Sequence, residues 1–331
     1  MLSFCKSRGS VLRALSLVLN TSTAANKCKP CHPNSNFFHR FNSSTIAAPK
    51  LKRLDGKVAV ITGAASGIGA MAARLFVAHG ARVVMADIQD ELGLPLSEEI
   101  GDGAEYIHCD VSREEDIAAV AEKAYSLEGH LDIYYNSAGI LGALGSIDQL
   151  KVNEYDKTLT VNLRGTVLGV KHATRFMKPA RKGSIICTGS IASVIGGCSP
   201  HAYCISKTAL TGLIRSAAVE LRDFGVRINM ISPDAVATSF VKYALESTTN
   251  SPVSLEETRQ FVSDFSVFEN RALTALDVAQ AAVFLASDES GFISGHNLML
   301  DGSSTVTRPG RHNWFDAYSP MVREGGERGL D

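Results

Sequence analysis

Short apolar runs alternate with longer amphipathic stretches along most of the chain. Lys57-Val-Ala-Val-Ile-Thr62, Arg82-Val-Val-Met-Ala86, Tyr106-Ile-His-Cys-Asp110-Val111 and Leu131-Asp-Ile-Tyr-Tyr135 have the length and residue types of buried strands. Ser184-Ile-Ile-Cys-Thr-Gly-Ser190, Val226-Arg-Ile-Asn-Met-Ile-Ser232 and Asn297-Leu-Met-Leu-Asp301 continue the series. Between the runs the apolar period lengthens to that of a helix: Ile68, Met71, Ala72, Leu75 and Phe76 share one stripe, which Gly80 ends. Further helices are expected over about 113–127, 154–177, 200–222 and 274–287, the last opened by a capping box, Thr274-Ala-Leu-Asp277. This alternation predicts an α/β protein with a single Rossmann-type, doubly wound parallel sheet and helices on both faces.

Charge changes the picture at the N-terminus. Nine of the 33 Lys and Arg fall in residues 1–54, which hold no acid, leaving 24 bases against all 34 acids, a net of −10. An acidic body without a basic stripe argues against nucleic acid as a partner. Residues 1–53, rich in Ser, Thr and Asn, have the composition of a transit peptide, mitochondrial first and plastid second. If that segment is not a working presequence, the protein is cytosolic. No apolar run is long enough to span a bilayer. The folded body is expected over 54–303, followed by a C-terminal tail, 304–331, that carries Trp314, Phe315 and Tyr318. That tail would reach a neighbouring subunit, fold over a cleft, or hang loose. Of the seven cysteines, Cys109 and Cys187 read as small core residues, and Cys28-Lys-Pro-Cys31 lacks a second pair. Neither a disulfide framework nor a metal site is expected.

Chemistry concentrates in two places. Gly63-Ala-Ala-Ser-Gly67-Ile-Gly69 lies between a strand and a helix, where glycines admit a pyrophosphate and the free N–H groups offset its charge. Asp87 ends the second strand, suited to accept hydrogen bonds from ribose hydroxyls and to repel a 2′-phosphate, so NAD is the expected cofactor. Asp110 and Val111 are expected beside the adenine, and Asn136-Ser-Ala-Gly139 suits backbone close to a cofactor. The second place is Tyr203-Cys-Ile-Ser-Lys207, with phenol and ammonium on one helix face. A nearby cation favours phenolate, so Tyr203 is expected to have a lowered pKa and to act as general base, with Ser190 bonding the reacting oxygen.

Taken together, Thr62-Gly-Ala-Ala-Ser-Gly-Ile-Gly69, Asn136-Ser-Ala-Gly139, Asn162, Ser190, Tyr203-x-x-x-Lys207, Pro233 and Thr238 resemble the short-chain dehydrogenase/reductase superfamily over residues 54–303. Within it, Lys171-His-Ala-Thr-Arg-Phe-Met177 and Ser294-Gly-His-Asn-Leu-Met-Leu-Asp-Gly302 resemble plant alcohol dehydrogenases of specialised metabolism. The resemblance implies a catalytic set of Asn162, Ser190, Tyr203 and Lys207, with Asn162 holding a water that links Lys207 to solvent. It implies a cofactor site of Gly63, Ser66, Gly67, Ile68, Gly69, Asp87, Asp110, Val111, Asn136, Ala138, Gly139, Tyr203, Lys207, Pro233, Val236 and Thr238. Thr238 would meet the nicotinamide carboxamide. It also implies a homotetramer, with helices near 154–178 and 200–222 paired between subunits.

Two positions depart from the family pattern. Ser137 replaces an Asn, which is expected to weaken the hold on the next strand. Asp234 replaces a Gly, which places an acid near the nicotinamide end. Apolar segments at Ile140-Leu141, Ile191–Ile195, Ala235–Ala237 and Phe240–Leu245 suit a hydrophobic substrate. The expected activity is NAD-dependent oxidation of a hydrophobic secondary alcohol, terpenoid or phenolic, to a ketone. Ketone reduction and a catalytically silent nucleotide-binding scaffold are the alternatives.

Overall fold

The computed structural model describes residues 52–306 apart from Asn250, Phe265, Glu269 and Asn270. The transit segment expected at 1–53 falls almost wholly outside the described residues, as does most of the C-terminal tail. Seven strands form one sheet: β1 (Val58–Thr62), β2 (Arg82–Asp87), β3 (Ala104–His108), β4 (Ile133–Asn136), β5 (Gly183–Thr188), β6 (Val226–Pro233) and β7 (Asn297–Leu300). Their order is β3-β2-β1-β4-β5-β6-β7, and every pairing is parallel. The chain lays β2 and β3 on one side of β1, then crosses over to lay β4 and its successors on the other. Crossovers therefore leave β1 and β4 in opposite directions, opening a crevice beyond their carboxyl ends.

Period-two alternation along β1 feeds two cores. Ala59 and Ile61 join the layer under α1 (Gly67–Ala78) and α9 (Ala275–Ala286). Val58 and Val60 join the opposite layer under α3 (Glu114–Glu128), α5 (Gly165–Ala180) and α6 (His201–Leu221). The capping box at Thr274 forms: its hydroxyl accepts from Asp277 N, and the Asp277 carboxylate accepts from Thr274 N.

Three features differ from the sequence expectation. First, α2 (Asp90–Ile100) was not legible, because Leu92 and Leu94 point outward and Pro95 interrupts the pattern. Second, the helix expected over 154–177 is two helices, α4 (Val152–Leu159) and α5, joined by a π turn at Thr160–Arg164. Such a turn marks an inserted residue in the helical ladder and often lies at a functional site. Third, β3 starts and stops earlier than its apolar run, so Asp110 and Val111 lie past its end. Beyond β6, α7 (Ser239–Thr249) and α8 (Leu255–Asp264) share a small apolar cluster of Val241, Leu245 and Val262 with Ala235 and Ala237 packed against it. Among the described residues no helix is long and apolar enough to cross a membrane.

Candidate active site

The turn after β1 is built by close backbone approach. Gly63 has φ +67, and a methyl group there would lie 2.7 Å from Ala138 Cα, so only glycine fits. A methyl at Gly69 would meet the Gly63 carbonyl oxygen at 2.1 Å. Thr62 Oγ1 accepts from Ser137 N at 3.2 Å and Ala138 N at 3.3 Å, tying the β1 turn to the segment after β4. Ser66 caps α1 with extended backbone and no side-chain cap bond. Its first-turn N–H groups thus remain available to an anion. Ile68 packs on the core behind the turn, and Thr238 Cβ lies close beside Gly67.

Asp87 is buried, and its carboxylate accepts from Ala65 N at 3.0 Å and from Gln89 N and Nε2 at 3.1 and 3.2 Å. The acid thus holds the glycine turn against the end of β2. Asp110 bonds Ser112 N and Asp116, and Val111 packs against Gly165. Asn136 is buried, with Nδ2 donating to the Ile186 carbonyl across to β5. Pro233 ends β6, and Val236 and Thr238 are buried just beyond, Thr238 Oγ1 donating to Val236 O at 3.2 Å.

The π turn carries Asn162 inward, fully buried. Its amide exchanges two bonds with the Ile140 backbone, both 2.8 Å, and donates to Ser206 Oγ at 3.1 Å. Ser206 in turn donates to the Tyr203 carbonyl at 2.7 Å. Asn162 Oδ1 and Lys207 Nζ both border Gly139, where a methyl would sit 3.3 and 3.6 Å from them. Lys207 Nζ donates to the Thr188 carbonyl at 2.8 Å. Ser190 accepts from Ala192 N at 3.2 Å and hydrogen-bonds the Tyr203 phenol. Bonds through Ser206, the Thr188 carbonyl and the Tyr203 phenol thus gather the four expected catalytic residues near the carboxyl end of β5.

Three supports carry no role in the sequence reading: Thr62 Oγ1, Ser206 and the Thr188 carbonyl; Phe240, from the expected apolar segment, lies 5.8 Å from Tyr203, ring centre to ring centre. A backbone acceptor such as Thr188 O leaves no signal in residue identity. Ser137 does not simply lose a tie. It bonds the buried Tyr135 phenol, which accepts from Thr188 Oγ1 on β5 at 3.2 Å. The Asp234 carboxylate bonds Ser304 and Ala235 N, with burial pushing its pKa up, so its hydrogen bonds run toward the β7 end of the molecule.

The electrostatics reverse one expectation. Burial pushes the Tyr203 phenol well above its ordinary value, and the Ser190 hydrogen bond only partly offsets this. Lys207 lies 5.5 Å from the Tyr203 ring centre, with its ammonium turned to Thr188 O. Burial brings Lys207 itself down to about 8. Burying an ammonium costs several kcal/mol, more than the roughly 1.5–3 kcal/mol returned by one hydrogen bond to a charged group.

This shift has a measurable consequence. Between pH of about 8 and the ordinary lysine value of 10.5, the unfolded chain binds the Lys207 proton and the folded chain does not. Lys207 therefore contributes stability that rises with pH through that window. Urea unfolding of Lys207→Met at a series of pH values should show that rise lost relative to wild type, an effect on the order of a few kcal/mol. Parallel curves for the two proteins would refute the lowered lysine.

A family model described as "Enoyl-(Acyl carrier protein) reductase" matches residues 63–305. Momilactone A synthase of Oryza sativa subsp. japonica is 46% identical over 266 residues, 80% of this chain and 95% of that one. "Borneol dehydrogenase, mitochondrial" of Lavandula x intermedia is 44% identical over 272 residues, 82% of this chain and 98% of that one. The crystal structure of levodione reductase superposes with a TM-score of 0.71 at 26% identity, covering 77% of this chain and all of the other. The fold, the Tyr203/Lys207 pocket and these relatives agree: the chain belongs to the short-chain dehydrogenase/reductase family, among its plant members, as an oxidoreductase of the nicotinamide-dependent type.

Proposed function

We propose that the protein oxidises a hydrophobic secondary alcohol of the terpenoid or phenolic kind to a ketone with NAD. The observation that carries this reading is the convergence of Tyr203, Ser190, Lys207 and Asn162 beside an apolar wall. Leu141, Ile191, Ala192, Ala244 and Phe240 pack around Tyr203 in one cluster. Such a wall favours an uncharged, bulky substrate. The residues fit a dinucleotide: open N–H groups at the start of α1, the glycine turn, and the polar ends of Asn162 and Lys207 brought up to the Gly139 backbone. Gly63, Ser66, Gly67, Ile68 and Gly69 would hold the pyrophosphate. Asp87, Asp110 and Val111 would hold the adenosine, and Asn136, Ala138, Gly139, Pro233, Val236 and Thr238 the nicotinamide end. When bound, NAD supplies the hydride acceptor.

The chain's own groups handle the proton. Ser190 Oγ orients the substrate oxygen, Tyr203 in its deprotonated form takes the proton, Lys207, held by Thr188 O, would fix the ribose, and Asn162 would hold a water that links Lys207 to solvent. The buried Asp87 carboxylate, with exposed Ile88 rather than a base beside it, supports NAD over NADP. A second reading has its own support. A phenol raised by burial is a proton donor at neutral pH, which suits ketone reduction. The mitochondrial location expected from residues 1–54 belongs to the same proposal, supported by the name of the Lavandula relative.

Tyr203→Phe keeps the ring packing and removes the proton acceptor. Turnover should fall by about three orders of magnitude while NAD binds as in wild type and more tightly than NADP. Near-normal turnover would refute the role of Tyr203, and tighter NADP binding would refute that of Asp87.

Assembly as a homotetramer is supported by apolar side chains left outward on α5 and α6: Val167, Ile205 and Val219. Sedimentation of the full chain at micromolar concentration should show tetramer. A monodisperse, active monomer would contradict it.

A further inference from the structure

Two cysteines beside the acid/base tyrosine have no part in the chemistry above. Cys204 follows Tyr203 in the first turn of α6, and Cys198 lies in the bend that leads into that helix. Both belong to the apolar cluster that contains Tyr203. Cys204 Sγ lies 3.2 Å from the carbonyl of Ser199, the residue after Cys198. Cys198 Sγ donates to the Ile195 carbonyl at 3.6 Å, and the two thiols are near enough to perturb each other's ionisation. Cys198 is buried and Cys204 half-buried. We propose that Cys198 and Cys204 form an oxidative modification site: a dithiol that a hydroperoxide converts to a disulfide, pinning the loop that walls the Tyr203 pocket.

The chemistry assigns the order. The neighbouring Cys198 thiol holds Cys204 below the usual thiol range, and Cys198 is raised. The N-terminal turn of α6 adds a dipole that favours thiolate at Cys204. Cys204 sulfur therefore attacks the peroxide, the O–O bond breaks, the leaving oxygen takes up the proton from Cys204, and a sulfenic acid forms. Cys198 sulfur then attacks that sulfur, the S–O bond breaks, and water leaves with the Cys198 proton. In sum, the two thiols lose two protons and two electrons, and hydrogen peroxide becomes two waters.

The sulfurs must close to about 2.05 Å. The loop can take up that movement: Gly196 and Gly197 directly precede Cys198, and neither has a heavy atom within 4 Å of where a methyl group would sit. Ile195, on the same loop, packs in the Tyr203 cluster, so drawing the loop onto α6 reshapes the substrate wall. The loss of turnover that follows rests on the oxidoreductase reading; the disulfide itself does not.

The test uses the full chain. It is treated with stoichiometric hydrogen peroxide, denatured and alkylated with iodoacetamide, then reduced and labelled with N-ethylmaleimide before peptide mass spectrometry. Cys198 and Cys204 should carry the second label, whereas Cys109 and Cys187 should carry the first. Both thiols found with the first label, or Cys204 found as sulfinic acid beside an alkylated Cys198, would overturn the site. In Cys198→Ser the sulfenic acid has no partner and Cys204 should be trapped by dimedone; an untrapped Cys204 contradicts the order of attack. Wild-type turnover should fall severalfold on oxidation and return with dithiothreitol. Turnover unchanged in the disulfide form would refute the coupling to the pocket. A disulfide in a protein that shows no turnover before oxidation would leave the site standing and refute the oxidoreductase reading.

Discussion

The contact between Gly63 and Ala138 is the constraint on which the rest of the site depends. Two strand ends that diverge into opposite crossovers would leave a gap between their loops. Here the backbones touch, with no room for a side chain at Gly63 and with Thr62 Oγ1 accepting from both Ser137 and Ala138. That contact fixes one edge of the crevice from β1 and the other from β4. Asp87, by accepting from Ala65 N, extends the clamp to β2. The first is a backbone contact and the others pin backbone N–H groups with short, buried side chains, so the shape of the cradle does not rely on long, flexible ones.

A second restraint runs through the interior. The π turn drops Asn162 out of the helical register, and its amide then satisfies the Ile140 backbone and Ser206. Ser206 supports the Tyr203 turn of α6, while the Thr188 carbonyl receives Lys207. Tyr203 and Lys207 are thus positioned by two separate strands of bonding and are both disfavoured in their charged forms by burial. Burial rather than their mutual proximity sets their protonation. The pair expected to act as cation and phenolate is tuned toward neutral phenol and weakened ammonium.

Much of this was legible because parallel strands covered on both faces must be continuously apolar, and the seven runs said so. The glycine turn and the Tyr203/Lys207 spacing were equally plain, since each requires a specific residue type at a specific place. The rest leaves no mark in residue type at the position concerned. The helix at Asp90–Ile100 hides behind exposed Leu92 and Leu94 and an internal Pro95. The π turn changes backbone register without changing composition. The direction of the Tyr203 shift depends on how much water the folded pocket excludes, and neighbouring residue types do not encode that. Ser137, read as a loss, is joined to β5 through Tyr135, a partner adjacent on the strand only by two residues yet committed by its burial.

The chain belongs to a family of nicotinamide-dependent oxidoreductases, and the proposal of a hydrophobic alcohol or ketone as substrate rests on the apolar cluster around Tyr203. The most direct measurement is NADH absorbance after mixing the full chain with NAD and a panel of bulky terpenoid and phenolic secondary alcohols. The account predicts NADH formation with at least one of them, faster as pH rises and the phenol ionises. Bound NAD with no NADH formed from any alcohol, and no NADH consumed with the matching ketones, would contradict it.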